Sequence, residues 1–290
     1  MRILHIDTGR EMRGGQWQVL HLLQGLASRK TESRLLTPAG SKLYRAATTA
    51  GLDVKPLSPW TAPFVARGFD LLHVHDARAH SLSLLCPGPV LVSRRVGFPV
   101  RSRWKYARPT HYLAISEFVR GTLLEAGVDA AKISVVYDGV LVPELLPPGK
   151  RDLIVALDSA DPGKCRALMQ QAGYPICFSR NLIDDLPRAG VFLYISELEG
   201  LGSAALLAMA YGAAVVASRV GGLPEIVRDG ETGVLTANDP ASIRAALASL
   251  LGDPSRRERL ASAGRAMVEQ RFTVDRMVED TMQVYQRLLA

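Results

Sequence analysis

Short apolar runs alternate along this chain with segments whose apolar residues recur every three to four positions. The first run, Arg2–Asp7, is bounded by Thr8 and Gly9 and reads as a buried strand. After Gly14-Gly15, the residues Trp17, Leu20, Leu22, Leu23 and Leu26 follow helical spacing. The alternation continues with strands at Ser33–Thr37, Asp53–Leu57, Leu71–His75, Pro89–Ser93, Tyr112–Ile115 and Ile133–Val136. Helices are expected at Lys42–Ala50, stopped by Gly51, and at Glu117–Ala126, capped by Ser116 and ended by Gly127. Val142–Lys150 carries three prolines and a glycine and reads as a linker.

The pattern then restarts. Strands are expected at Leu153–Leu157, Pro175–Phe178, Val191–Ile195, Ala213–Ala217 and Gly233–Leu235. Helices are expected at Pro162–Ala172, Ala204–Ala210, Ala241–Leu251, Pro254–Gln270 and Val274–Leu289. Short apolar strands separated by helices imply right-handed βα units and parallel sheets. The expected fold is therefore α/β: two Rossmann-like, doubly wound parallel-sheet domains facing a cleft. The first domain is expected over residues 1–146 and a shortened second over 147–272, with helix 273–290 returning toward the first. Ligands of such sheets bind beyond the carboxyl ends of the strands, which directs attention to the strand-to-helix loops.

Two loops of the second half stand out. Glu197-Leu198-Glu199-Gly200-Leu201-Gly202-Ser203 precedes a helix whose free N–H groups suit an anion or a sugar hydroxyl. Taken alone it is a capped helix start before it is a ligand site. Ser218-Arg219-Val220-Gly221-Gly222-Leu223-Pro224-Glu225 follows a β-branched strand; a Gly-Gly turn opening a helix can cradle phosphate, or simply turn tightly.

Composition narrows the classes. The 290 residues suit two domains, and 48% apolar with 22% charged is ordinary for a globular chain. Cys86, Cys165 and Cys177 have neither zinc nor redox spacing and read as reduced thiols. The short apolar run at the N-terminus is not a signal peptide, and nothing approaches the length of a membrane span. A cytoplasmic protein is expected. The net charge of +7 is uneven: residues 1–150 hold 20 Lys/Arg against 11 Asp/Glu, whereas residues 151–290 hold 15 against 17. Such asymmetry leads to the expectation that one half faces something anionic. Ala77–Ser116 contains no acid, and its Arg94, Arg95, Arg101, Arg103 and Lys105 are interleaved with Phe98, Trp104 and Tyr106. That mixture suits an anionic membrane surface, a nucleic acid, or a solvated loop.

The run Glu199–Gly233, with EGLG, AMAYGAAVVASRVGGLPEIV and DGETG, resembles the donor-binding half of family 4 glycosyltransferases of the GT-B fold. Arg2–Leu26 and AISEFV…LLEAGVDAAKISVVYDGV resemble that family's first domain. The resemblance implies retaining transfer from a UDP- or GDP-linked sugar to a lipid-linked or saccharide acceptor of the cell envelope. No metal and no further cofactor are expected. It implies catalytic roles for Glu199, which contacts the transferred sugar, for Arg95, and for His75, which shares a strand face with His73. Gly14, Gly15, Lys164, Gly200, Leu201, Gly202, Ser203, Gly221, Gly222 and Glu225 become donor-binding candidates. Arg94, Arg101, Arg103, Trp104 and Lys105 become an acceptor or membrane surface, peripheral at the inner face; nucleic acid is not expected as a partner.

Three departures accompany the resemblance. The family's second glutamate, eight positions after Glu199, is Leu207. The family's Arg followed by Lys-Gly is represented only by Lys164, in LDSADPGK. About 50 residues separate the linker from Glu199, shorter than usual by one or more βα units of about 30 residues. A catalytically weak or inactive binding partner that kept the fold is the alternative. A nicotinamide enzyme is disfavoured, because TGREMRGG lacks Gly-x-Gly-x-x-Gly after the first strand.

Overall fold

The computed structural model describes residues 1–100, 102–146 and 151–290. Arg101 and Pro147–Lys150, the latter within the expected linker, lie outside the described residues. The chain begins β1 (Arg2–Ile6), α1 (Gly14–Ser28), β2 (Glu32–Thr37), α2 (Lys42–Thr49), β3 (Val54–Pro56), α3 (Ala62–Ala66) and β4 (Leu71–Val74). It continues α4 (Ala77–Ser83), β5 (Val90–Arg94), α5 (Arg103–Ala107), β6 (His111–Ala114), α6 (Glu117–Glu125) and β7 (Ile133–Val135). Next come β8 (Leu153–Leu157), α7 (Arg166–Gln171), β9 (Ile176–Ser179), α8 (Leu182–Asp185), β10 (Ala189–Tyr194) and α9 (Ser203–Ala210). The rest is β11 (Ala214–Ser218), α10 (Leu223–Ile226), β12 (Val234–Thr236), α11 (Pro240–Leu251), α12 (Pro254–Arg271) and α13 (Val274–Leu289).

The chain divides into two compact units, Met1–Asp138 with Val274–Ala290, and Gly139–Thr273. Each is built on one parallel sheet, in the order β3-β2-β1-β4-β5-β6-β7 and β12-β11-β10-β8-β9. The two parallel sheets are as expected. All twelve expected strands form, with ends displaced by no more than one residue except at β10, which begins two residues earlier than expected. Four short helices escape the periodicity: α3, α4, α5 and α8, of four to seven residues, too short to show two turns of apolar repeat. The expected helix Pro162–Ala172 is broken. Pro162–Lys164 forms a 3₁₀ turn, and Cys165 at φ +49 interrupts the path before α7.

Helix starts follow local chemistry. Ser116 accepts from Val119 N at 3.0 Å, Asp76 caps α4 through Arg78 N and Ala79 N, and Asp239 caps α11 through Ser242 N.

In the first unit, Ile3, Leu71, Leu91 and Leu113 line one face of the sheet and pack with Leu22, Leu26, Val278 and Tyr285. The last helix, α13, thus supplies core to the unit that begins the chain. In the second unit, Ile154, Val191, Leu193 and Val216 pack with Met169, Ile243, Leu247 and Leu260.

The first core holds an unusual polar inclusion. His5 and His73 are fully buried and His75 is 4% exposed. His5 Nδ1 and His75 Nε2 share a hydrogen bond of 3.0 Å, while His73 bonds Tyr285 Oη at 2.6 Å and Ser93 Oγ at 2.8 Å. Burial keeps these rings neutral: it lowers His5 to about 3 and holds His73 and His75 well below the usual histidine value, each further lowered by neighbouring rings and Arg95 for the latter two. His80, packed edge-on against Tyr106, is lowered to about 4, again mainly by burial.

These depressed values fix the sign of an acid response. The unfolded chain takes up protons near pH 6.5 that the folded chain refuses until about pH 3 to 4, so their contribution is complete above pH 6.5 and is lost as pH falls. Unfolding free energy measured by denaturant titration should be level from pH 8 to 7. It should then drop by several kcal/mol, on the order of the linkage for two or more histidines, by pH 4. A midpoint unchanged between pH 7 and pH 4.5 would contradict it.

Candidate active site

A doubly wound sheet opens a crevice where successive connections depart in opposite directions. In the second unit that point lies between β8 and β10, since β9 lies on one side of β8 and β10 on the other. The loops leaving these two strands carry Lys164 and Glu199. They are stitched together by backbone: Glu197 N donates to Gly163 O at 2.9 Å, and Ser196 Oγ to the same carbonyl at 3.2 Å. Asn238 Nδ2 donates to Ser196 O at 2.9 Å, and Ser196 N to Ser218 Oγ at 2.9 Å, tying in the ends of β11 and β12.

Lys164 Nζ forms an ion pair with Glu199 Oε2, with the two side chains 18% and 19% exposed. Tyr194, the last residue of β10, joins both: Lys164 Nζ donates to Tyr194 Oη at 2.8 Å, and Tyr194 Oη donates to Glu199 Oε2 at 2.7 Å. Burial, then the Glu199 carboxylate, raises the Tyr194 phenol well above its usual value, so it stays a donor.

The second glycine turn makes a close approach of backbone to backbone. Gly221 sits at φ +55, and a Cβ there would overlap the Glu199 carbonyl. A Cβ on Gly222 would overlap the Gly200 carbonyl, and Gly222 N donates to Glu199 O at 3.0 Å. The neighbour these glycines admit is thus the Glu199–Gly200 backbone. Gly202, at φ +109, lies against Leu223, Ile226 and Tyr194. Leu201 is buried outright, Ser203 opens α9 half-buried, and Glu225 is half-buried in α10.

The first unit has its own switch point between β1 and β4. Asp7, 1% exposed, accepts from Gly9 N at 2.8 Å and from Gln16 Nε2. Burial, then Asp76, raises its carboxyl above the usual range. Asp76 accepts from Thr8 N and Thr8 Oγ1 while capping α4. Gly14 and Gly15 open α1; no atom lies within 4 Å of a Cβ on Gly14, and Arg95 Cδ would lie 3.5 Å from one on Gly15. Arg95 is ion-paired with buried Asp138. His75 lies inside the histidine group and does not face solvent.

The expected basic surface is only partly one. Arg94 does not belong to it: the residue is 8% exposed and bonds Tyr106 Oη at 2.8 Å and the Phe98 carbonyl. Lys105 Nζ is drawn onto Ala77 O at 2.7 Å and Ser81 Oγ at 2.9 Å. Arg103 is exposed, Trp104 is 63% exposed beneath Arg108, and Phe98 is 61% exposed. Arg101 lies outside the described residues.

Residues 12–142 match the family model described as Glycosyltransferase Family 4, and residues 178–267 match that described as Glycosyl transferases group 1. This chain belongs to glycosyltransferase family 4. Among curated relatives, it is 42% identical over 112 residues to alpha-maltose-1-phosphate synthase of Mycolicibacterium smegmatis, covering 36% of this chain and 29% of that protein. It is 37% identical over 140 residues to D-inositol 3-phosphate glycosyltransferase of Acidothermus cellulolyticus, covering 46% and 31%. The matched stretch is thus under a third of the length of either relative. Anabaena HepE, crystallised in complex with UDP and glucose, superposes with a TM-score of 0.87 at 15% identity over 99% of both chains, which places the fold as GT-B.

Cys165, directly after Lys164, takes a left-handed backbone that a glycine would adopt freely, at an expense of about 1–2 kcal/mol. Leu207 lies half-buried on the same outward face of α9 as Ser203 and Ala204, and that face has no carboxylate. His5, His73 and His75 are the one group of described residues with metal-ligand proximity, their nitrogens lying within 4.8 Å. An ion held by the facing His5 and His75 nitrogens would leave His5 Nε2 and His75 Nδ1, both buried and unpartnered, as donors without acceptors. Metal-bound histidines instead pass that proton to an acceptor, so the group is better accounted for as hydrogen-bonded core.

Tyr194, Asp138, Asn238 and Asp7 were not legible as site residues. Only Tyr194 left a signal, a lone hydroxyl at the end of an otherwise apolar strand. The two glycine turns make opposite expectations testable by thermal unfolding. Gly221→Ala combines positive φ with a backbone overlap and should destabilise by more than about 2 kcal/mol. Gly14→Ala meets open space at a helix start and should be neutral to stabilising by about 0.5 kcal/mol. Equal effects would refute the steric reading.

Proposed function

We propose that this chain transfers a sugar from a UDP- or GDP-linked donor, with retention at the anomeric carbon, to a lipid-linked or saccharide acceptor of the cell envelope. One observation carries the reading: an ammonium and a carboxylate, Lys164 and Glu199, meet at the switch point of the second sheet. The cation suits the donor diphosphate and stabilises it as it departs, and the carboxylate suits sugar hydroxyls. The names of the relatives favour the same chemistry, two of them acting in sugar- or inositol-phosphate metabolism and a third bound to UDP and glucose. Arg95, oriented by Asp138, is the group we assign to phosphate on donor or acceptor. Arg94 is not, because its guanidinium is committed to Tyr106 and Phe98.

A second reading is kept for one reason. With Leu207 in place of the family's second glutamate, the ribose hydroxyls lose their carboxylate, and the protein could be a weakly active or inactive binding partner. Calorimetric titration with UDP-glucose, GDP-mannose and their relatives, followed by assay of nucleotide release, separates the two. Binding at micromolar to millimolar concentration with turnover supports the enzyme, and Glu199→Ala should then reduce turnover by more than about 100-fold with an unchanged unfolding midpoint. Leu207→Glu should tighten nucleotide binding by about tenfold, the value of one charge-assisted hydrogen bond pair. No binding at millimolar levels would reject the donor site.

We also place the protein at the cytoplasmic membrane face, through Phe98, Trp104 and Arg103; no helix among the described residues is long and apolar enough to cross a bilayer. Cosedimentation with phosphatidylglycerol vesicles should be lost at high salt and weakened in a Trp104→Ala/Arg103→Ala variant. Equal sedimentation with neutral vesicles would count against it.

A further inference from the structure

We propose that Tyr194 is a positioning residue that keeps Glu199 aimed at the sugar when the donor diphosphate draws Lys164 away. The inference rests on the donor-site reading above. Tyr194 ends β10 behind five residues, Ala189-Gly190-Val191-Phe192-Leu193, that carry no polar side chain. Its ring is 6% exposed, yet its hydroxyl reaches both charged partners, 2.8 Å from Lys164 Nζ and 2.7 Å from Glu199 Oε2.

The bonding directions are forced. A carboxylate only accepts and an ammonium only donates, so the phenol accepts from Lys164 and donates to Glu199. Glu199 Oε2 therefore takes two donors, while among the described residues Oε1 takes none. That division leaves one oxygen fixed and one free for a ligand hydroxyl.

A diphosphate carries more charge than a carboxylate and is the better partner for an ammonium. When such a group enters, Lys164 turns toward it and Glu199 loses one of its two anchors. The phenol remains. Its ring is held by packing, with Gly202 beside it and Phe192 stacked at 5.9 Å, so the hydroxyl does not follow the lysine. A phenylalanine would keep this packing and lose the hydroxyl that anchors Glu199 and, before the donor arrives, accepts from Lys164.

The test is the isosteric Tyr194→Phe. Titration of wild type and variant with UDP, and with whichever nucleotide sugar of the panel binds tightest, separates the grip on the diphosphate from the grip on the sugar. UDP affinity should stay within about twofold. The advantage of the nucleotide sugar over UDP should fall by about tenfold or more, and kcat/KM for donor turnover should fall at least as far, with the donor KM rising alongside the loss in kcat. Because Tyr194 acts through Glu199, adding Tyr194→Phe to Glu199→Gln should bring no further loss. A Tyr194→Phe protein that keeps the wild-type advantage and kcat would overturn the inference, as would losses that multiply in the double variant. A wild type that binds no nucleotide sugar fails at the first titration, before any variant is compared, and removes the donor-site reading and this inference together.

Discussion

The hydrogen bond from Gly222 N to Glu199 O, made across loops that leave adjacent parallel strands, is the contact on which the second unit's site depends. It forms only because neither Gly221 nor Gly222 has a side chain, and it places the Glu199 backbone against the neighbouring turn. From there the arrangement propagates. The carboxylate meets Lys164 from the next loop, the Gly163 carbonyl anchors Glu197 and Ser196, and Asn238 closes the far side. A sheet whose strands all point one way delivers four loops to one edge, and side-chain-free backbone lets them touch.

The order of strands and helices was readable because burial on both faces leaves near-continuous apolar runs, and all twelve appeared. The chemistry was less readable. Glu199 and Lys164 were marked by motif, but not their pairing, which depends on two loops 35 residues apart meeting at a switch point. The Gly221-Gly222 turn reads from sequence as a phosphate cradle or a tight turn, and its close approach to the Glu199–Gly200 backbone has no signature in the sequence. The helix expected through Pro162–Ala172 failed because Cys165 turns left-handed, a conformation no periodicity reveals. Arg94 illustrates the limit of charge patterning: a basic residue within an acid-free stretch reads as surface, yet strand β5 carries it inward to a tyrosine hydroxyl.

The two units handle charge in opposite ways. In the second, an ion pair stays partly open, one fifth accessible on each side, and can exchange partners. In the first, polar groups are enclosed: three neutral imidazoles, a buried carboxylate at Asp7, and Arg95 held on Asp138. Enclosure orients side chains firmly but makes them respond to pH as a group, whereas an open pair responds to ligands.

The place of α13 has a consequence for biosynthesis. The core around Ile3, Leu71 and Leu113 is completed by Val278 and Tyr285, and the partner of His73 Nδ1 stands 212 residues later. A chain emerging from the ribosome therefore makes all seven strands of its opening sheet long before the helix that covers one face. Throughout that interval an apolar surface and a buried-type histidine wait for residues 274–289, so the opening unit reaches its final form only after that helix has been made and released.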